Sequence, residues 1–220
     1  MSVIPESTTE SQRKGIVNTI LMSLAIIAMV LVLFLNKMLS PRVMTIDELH
    51  ANGAILFDQS RTLPAFTLTT HNNDIFTSES LKGKWNVLFF GFSHCPEICP
   101  TTLATLAQVY QQLDKKTRAQ TRIIMVSVDP ARDTPEALAT YVKKFHSDFL
   151  GVTGNFTDIL RLSRNINVAF NKITTEDDYT MDHSMHIVLV DPRGHYVGFI
   201  KPPFEVARLK TVYRSVVKLF

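Results

Sequence analysis

The sequence predicts an α/β domain tethered by one N-terminal transmembrane helix, and three observations carry that prediction. A stretch without a charged side chain runs from Gly15 to Asn36. Beyond it, continuous apolar runs such as Val87-Leu88-Phe89-Phe90-Gly91-Phe92 alternate with segments of helical periodicity. The only two cysteines of the 220 residues, Cys95 and Cys99, fall between the first such run and the first such helix.

The uncharged stretch centres on Leu24-Ala25-Ile26-Ile27-Ala28-Met29-Val30-Leu31-Val32-Leu33-Phe34-Leu35, and spanning a bilayer takes about 20 mostly apolar residues. It ends in Asn36-Lys37-Met38-Leu39, without the small-x-small site of a cleaved signal peptide. It therefore reads as an uncleaved anchor over residues 15–36. Arg13 and Lys14 on one flank match Lys37 and Arg42 on the other, so the positive-inside rule does not orient it. A cytoplasmic tail of residues 1–14 would export the rest and put both thiols where disulfides persist. Glu6 and Glu10 argue against a mitochondrial transit peptide, which is poor in acidic residues. Residues 37–62 read as a tether containing a short amphipathic piece, Ile46-Asp47-Glu48-Leu49, that ends at Gly53. Residues 63–220 suit one domain with a single core.

Within that domain, the run from Trp85 to Phe92 has the unbroken apolarity of a strand buried on both faces. A helix follows, with Pro100 in its first turn and Leu103, Leu106, Ala107, Tyr110 and Leu113 on one face. Ile123-Ile124-Met125-Val126-Ser127-Val128 is a second buried strand. Thr134 caps a helix opened by Pro135, whose inner face carries Leu138, Tyr141, Val142 and Phe145. A short strand from Phe149 to Val152 precedes a helix over about Asp158 to Asn167. Ile187-Val188-Leu189-Val190 and Tyr196-Val197-Gly198-Phe199-Ile200 flank Asp191-Pro192-Arg193-Gly194, a hairpin signal. The last helix, near Glu205 to Lys218, places Val206, Leu209, Tyr213 and Val216 at helical spacing. Strand, helix, strand, helix, hairpin and helix is the order of a thioredoxin-like domain, with one strand and helix inserted before the hairpin.

Composition excludes one class of function. Lys and Arg number 23 against 20 Asp and Glu, too balanced for an electrostatic nucleic-acid binder. Chemistry concentrates instead in Cys95-Pro96-Glu97-Ile98-Cys99. Two thiols one helical turn apart can close as a Cys95–Cys99 disulfide or offer two thiolates to one soft metal ion. Their place before a helix aims backbone N–H groups at them, which lowers a thiol's pKa. Pro96 and Pro100 bias Cys95 and Cys99 away from the α region, so a bent loop is expected to feed the helix.

Phe89-Phe90-Gly91-Phe92-Ser93-His94-Cys95-Pro96-Glu97-Ile98-Cys99-Pro100-Thr101-Thr102-Leu103 resembles the signature of the Sco/SenC family, the anchored copper proteins of cytochrome c oxidase assembly. Ser127-Val128-Asp129-Pro130-Ala131-Arg132-Asp133-Thr134-Pro135-Glu136 and Asp182-His183-Ser184 agree with it. The resemblance runs from about Leu63 onward and implies Cys95, Cys99 and His183 as copper ligands. It also implies a metallochaperone in the inner membrane of a bacterium, with its soluble domain in the periplasm. Its partners would be the copper-site subunit of cytochrome c oxidase and a periplasmic copper donor. Two thiolates and an imidazole suit Cu(I), and with an added oxygen donor can hold Cu(II). Asp182 could orient the His183 ring from the second coordination sphere.

The chain has seven histidines. Strand alternation groups His183 with Met185, Ile187 and Leu189, and His186 with Ser184, Val188 and Val190. Only one of the two can then face the thiols. His94 adjoins Cys95 and is expected to point elsewhere, while His50, His71, His146 and His195 sit in surface-like or turn-like contexts. Met181 and Met185 read as packing residues, Glu176-Asp177-Asp178 as a solvated loop, and Asp129, Arg132 and Asp133 as an ion-pair cluster holding the loop after the second core strand. The competing function is a thiol–disulfide oxidoreductase using Cys95 and Cys99 as its redox pair. A peroxidase-like thiol enzyme fits less well, because it has no use for a third ligand.

Overall fold

The computed structural model describes residues 7–39, 42–174, 176 and 178–220. Glu6, and Asp177 in the acidic run, lie outside the described residues. The contacts divide the chain into a unit up to Arg42 and a second unit from Val43 onward. The first contains one helix, α1 (Ser7–Leu39). Residues Gln12–Met38 of it are long and apolar enough to cross a membrane, and they are apolar all round rather than on one stripe, as a helix solvated by lipid requires.

The second unit opens with α2 (Ile46–Ala51), where Thr45 and Glu48 close a capping box and Leu49 is fully buried. The strands are β1 (Ala54–Thr62), β2 (Thr67–Thr70), β3 (Ile75–Thr77), β4 (Trp85–Gly91), β5 (Thr121–Ser127), β6 (Leu150–Thr153), β7 (Phe170–Thr174), β8 (Tyr179–His183), β9 (Ile187–Val190) and β10 (His195–Ile200). The further helices are α3 (Ile98–Gln111), α4 (Lys115–Ala119), α5 (Pro135–Lys143), α6 (Phe156–Asn165) and α7 (Val206–Leu219). Eight strands share one sheet in the order β1-β10-β9-β4-β5-β6-β2-β3, and β7 and β8 form a separate hairpin. Parallel β4, β5 and β6, with β9 antiparallel beside β4 and β10 antiparallel beside β9, give the thioredoxin-like arrangement.

The predicted core elements form because their side chains have nowhere polar to go. Every residue of β4 and β9 is buried, and a fully buried Leu or Phe contributes about 1.5–3 kcal/mol relative to an exposed one. Thr134 accepts the Ala137 N–H as N-cap, with Pro135 in the first turn of α5. Asp191 accepts the N–H groups of Arg193 and His195 across the β9–β10 turn, while Gly194 takes the positive φ of 83° the turn demands.

Two expectations change. Residues 54–62, read as tether, form β1 and pair antiparallel with β10, Ala54 opposite Ile200 and Thr62 opposite His195. As an edge strand β1 exposes much of its length, so it lacks the unbroken apolar run that marks β4. A domain cut at Leu63 would lose this strand and the buried Leu49 and Ala54.

His71, read as a surface residue, is only 7 % exposed. Its Nδ1 accepts the Gly151 N–H at 2.8 Å, and its own backbone N–H donates to the Gly151 carbonyl at 2.8 Å. Burial and nearby Lys143 hold its pKa below the ordinary histidine value, against an upward pull from Asp74. Burial does the same for His183 and His186. Folding thus excludes protons from these rings, so the stability they supply is present above the unfolded value of about 6.5 and lost as pH falls through their lower folded values. The thermal midpoint of the metal-free protein is expected to drop between about pH 7.5 and about pH 5.5. A midpoint that holds or rises over that range would contradict this linkage.

Candidate metal centre

The site arises where the sheet brings two distant segments to one end. Antiparallel pairing places Phe89 of β4 opposite Ile187 of β9, so the chain leaving β4 and the chain entering β9 emerge side by side. The first carries Cys95 and Cys99; the second carries His183, the last residue of β8. One ligand atom from each of the three lies within 4.8 Å of the others. Cys99 Sγ stands 3.4 Å from His183 Nε2 across 84 positions of sequence. No second cluster of this kind occurs among the described residues.

The cysteines differ in access. Cys99 is fully buried, and Cys95 is half-buried at a cleft shared with Ile98, Asp182, His183 and Met185. Both are free thiols, and Cys95 Sγ accepts the Cys99 backbone N–H at 3.4 Å, standing in for the capping side chain that Glu97 does not supply. Cys99 lies inside α3, contrary to the bias that Pro100 imposes on it. Pro100 is the third helical residue, where no intrahelical N–H bond is made, so the proline removes none. Gly91 is required by close approach: a Cβ there would meet Cys99 Sγ and Phe89 Cε1, each at 2.8 Å.

Helix position alone predicts a lowered thiol pKa, yet burial pushes the Cys99 thiol well up, with Cys95 and Asp133 adding to it against a backbone hydrogen bond from Phe92. In the dry interior, desolvation of a thiolate outweighs the helix end. Cys99 is therefore a neutral thiol that a bound cation would have to deprotonate, so metal uptake releases protons.

His183 sits between two aromatic edges, its ring centroid 5.9 Å from that of Phe89 and 6.0 Å from that of Phe92. Its Nδ1–H donates to the Ser184 carbonyl at 3.2 Å, which leaves the Nε2 lone pair facing Cys99. Burial keeps the ring neutral, with smaller upward pulls from the Ser184 carbonyl and Asp182. The acceptor that orients the ring is thus a backbone carbonyl; exposed Asp182 acts on it only through its charge.

The chain matches the SCO1/SenC family over residues 57–218. The chain belongs to this family. A Stutzerimonas stutzeri protein provisionally named as copper-binding is 36 % identical over 203 residues, covering 92 % of this chain and 97 % of that one. The copper-bound crystal structure of Arabidopsis thaliana ScoI is 35 % identical with a TM-score of 0.65, covering 71 % of this chain and 96 % of that one. Copper-bound yeast Sco1 is 30 % identical with a TM-score of 0.66, covering 73 % of this chain and 90 % of that one.

The SCO1/SenC match takes in both cysteines, His183 and most of β1. Around them, the remaining histidines separate from the site. Ser184-Met185-His186 leave strand geometry between β8 and β9, so the regular alternation expected there does not exist. The conclusion drawn from it still stands, since His186 packs its ring 4.8 Å from that of Phe199. Exposed His94 turns to Ser93 Oγ at 2.9 Å, His195 to Ser60 Oγ, and His146 stacks on Phe149. Met181 is buried as expected, whereas Met185 is 40 % exposed on the cleft. The aromatic walls and the need for Gly91 are not visible in the sequence, because they act on His183 and Cys99 only once the chain is folded, and the Ser184 carbonyl, though next to His183, is a backbone group whose direction residue identity does not reveal.

Proposed function

We propose that this chain is a membrane-anchored copper metallochaperone that delivers copper to, and can reduce the cysteines of, the dinuclear copper site of cytochrome c oxidase. The observation that carries the reading is the convergence of Cys95, Cys99 and His183 within 4.8 Å. Two thiolates and one imidazole form a soft, low-coordinate donor set that suits Cu(I). Solved relatives of the same fold hold copper. Cys95, at the cleft, is the ligand a partner reaches first, and buried Cys99 with His183 retains the ion until exchange begins. Copper titration of the chain in detergent is expected to reach one equivalent, with thiolate-to-Cu(II) absorption and imidazole nitrogen coupling in the EPR spectrum. Absence of a stoichiometric site would overturn the reading.

The same asymmetry supports a second activity, thiol–disulfide exchange. An accessible Cys95 can form a mixed disulfide that Cys99 resolves, closing Cys95–Cys99 and reducing the partner. Copper release leaves the dithiol ready for that step, so the two activities fit one sequence of events.

We further place residues 1–14 in the cytoplasm, the anchor in the inner membrane and the copper domain in the periplasm, where a periplasmic donor would load it. The oxidising side of the membrane gives a Cys95–Cys99 couple its redox use. Protease added to spheroplasts is expected to digest the domain. Complete protection that only lysis removes would reverse the orientation.

A further inference from the structure

We propose that the loop after β5 is a bracket that sets the separation of the thiols from the imidazole, with Arg132 as the positioning residue for His183. This rests on the metal-site reading above. One arm of the bracket holds the cysteine segment. Asp133, fully buried, accepts the Ser93 N–H through its two oxygens at 3.2 and 3.1 Å, and also the hydroxyls of Ser93 and Ser127. Ser93 lies two residues before Cys95.

The other arm holds the hairpin that ends in His183. Arg132 Nε donates to Asp129, and Nη1 donates to the Tyr179 carbonyl at 3.1 Å and to Asp178 at 3.2 Å. Its guanidinium lies 3.8 Å from the centre of the Tyr179 ring, and the Tyr179 hydroxyl donates to Asp129 at 2.9 Å. Tyr179 opens β8 and His183 closes it. These contacts matter because β7 and β8 share no ladder with the main sheet. Side chains must therefore supply the register that backbone pairing supplies elsewhere. Arg132 is suited to this, since a planar fork can stack on an aromatic ring and hydrogen-bond in its own plane at once. Asp129 and Arg132 are largely shielded from water, so solvent screens the pair less than it would a surface one.

Arg132→Gln in the full chain in detergent tests the bracket by two readouts. In metal-free protein, hydrogen exchange of the amides of residues 179–183 is expected to speed at least about tenfold, about 1.4 kcal/mol of local opening, with β4 and β5 unchanged. Cu(I) affinity, measured by competition with a chromophoric chelator, is expected to fall about tenfold. In a His183→Ala background the same substitution should cost no further affinity, because Arg132 acts through that ring. Tyr179→Phe, which keeps the ring and loses only the hydroxyl, should move both readouts the same way by less. Unchanged hairpin exchange, or affinity losses that add in the double variant, would overturn the bracket. A wild-type chain that binds no copper would instead remove the reading beneath it, and the exchange data would still judge the bracket by itself.

Discussion

Cys95→Ser and Cys99→Ser are each expected to abolish tight copper binding. Perturbing the outer partners of a metal ligand already costs roughly 10–100-fold in affinity, and either substitution removes a thiolate outright. The remaining thiolate and imidazole are too few soft donors to hold the ion against water and competing thiols. The chain has no third cysteine to substitute, and no alternative cluster exists among the described residues. Cys95→Ser is the cleaner test, because residue 95 meets the cleft and a hydroxyl there can be hydrated. Cys99→Ser buries a hydroxyl in an apolar setting, which costs about 1–3 kcal/mol where it finds no partner. Its unfolding midpoint should therefore fall alongside its copper affinity. Chelator competition and absorption spectra decide the matter: unchanged affinity and spectrum in either variant would refute the two-thiolate site.

His183→Ala is expected to weaken copper binding at least about tenfold while leaving the domain folded and the cysteine pair redox-active. The imidazole faces Cys99 at 3.4 Å and is walled by Phe89 and Phe92, so its loss removes one donor and the geometry it imposes. The core strands do not depend on it, since β4 and β9 are buried and paired with each other independently. Thiol–disulfide exchange needs only Cys95 and Cys99. The variant therefore separates carrier from reductase: oxidase assembly should fail at ordinary copper and recover in part with added copper. Normal assembly at ordinary copper would refute the metallochaperone reading and favour the reductase.

Much of this was legible in the chain itself, for a reason visible in individual elements. The runs that became β4, β5 and β9 are buried on both faces, so selection for burial left continuous apolar segments that announce themselves. The cap at Thr134 and the Asp191–Gly194 turn are local, satisfied within a few residues, and local chemistry is written locally. Edge strand β1 and the hairpin β7–β8 carry no such mark. Their exposed residues show no clean alternation; β1 becomes a strand only through distant β10, and β7 and β8 only through each other, without a buried apolar run to announce either. His71 looked like a surface histidine because nothing near it in sequence reveals the Gly151 backbone it meets.

The kind of chemistry is written in residue identity: two thiols one turn apart beside a core strand, and a histidine in a motif resembling a known ligand. That these donors meet follows from folding alone. Their meeting depends on β4 and β9 running antiparallel with Phe89 opposite Ile187, a register specified by burial of both strands in a shared core. It depends equally on Gly91 admitting the Cys99 sulfur and on the Ser184 carbonyl fixing which ring nitrogen faces it. Residue identity sets what a donor atom can bind, whereas the distance between donors 84 positions apart is a property of packing.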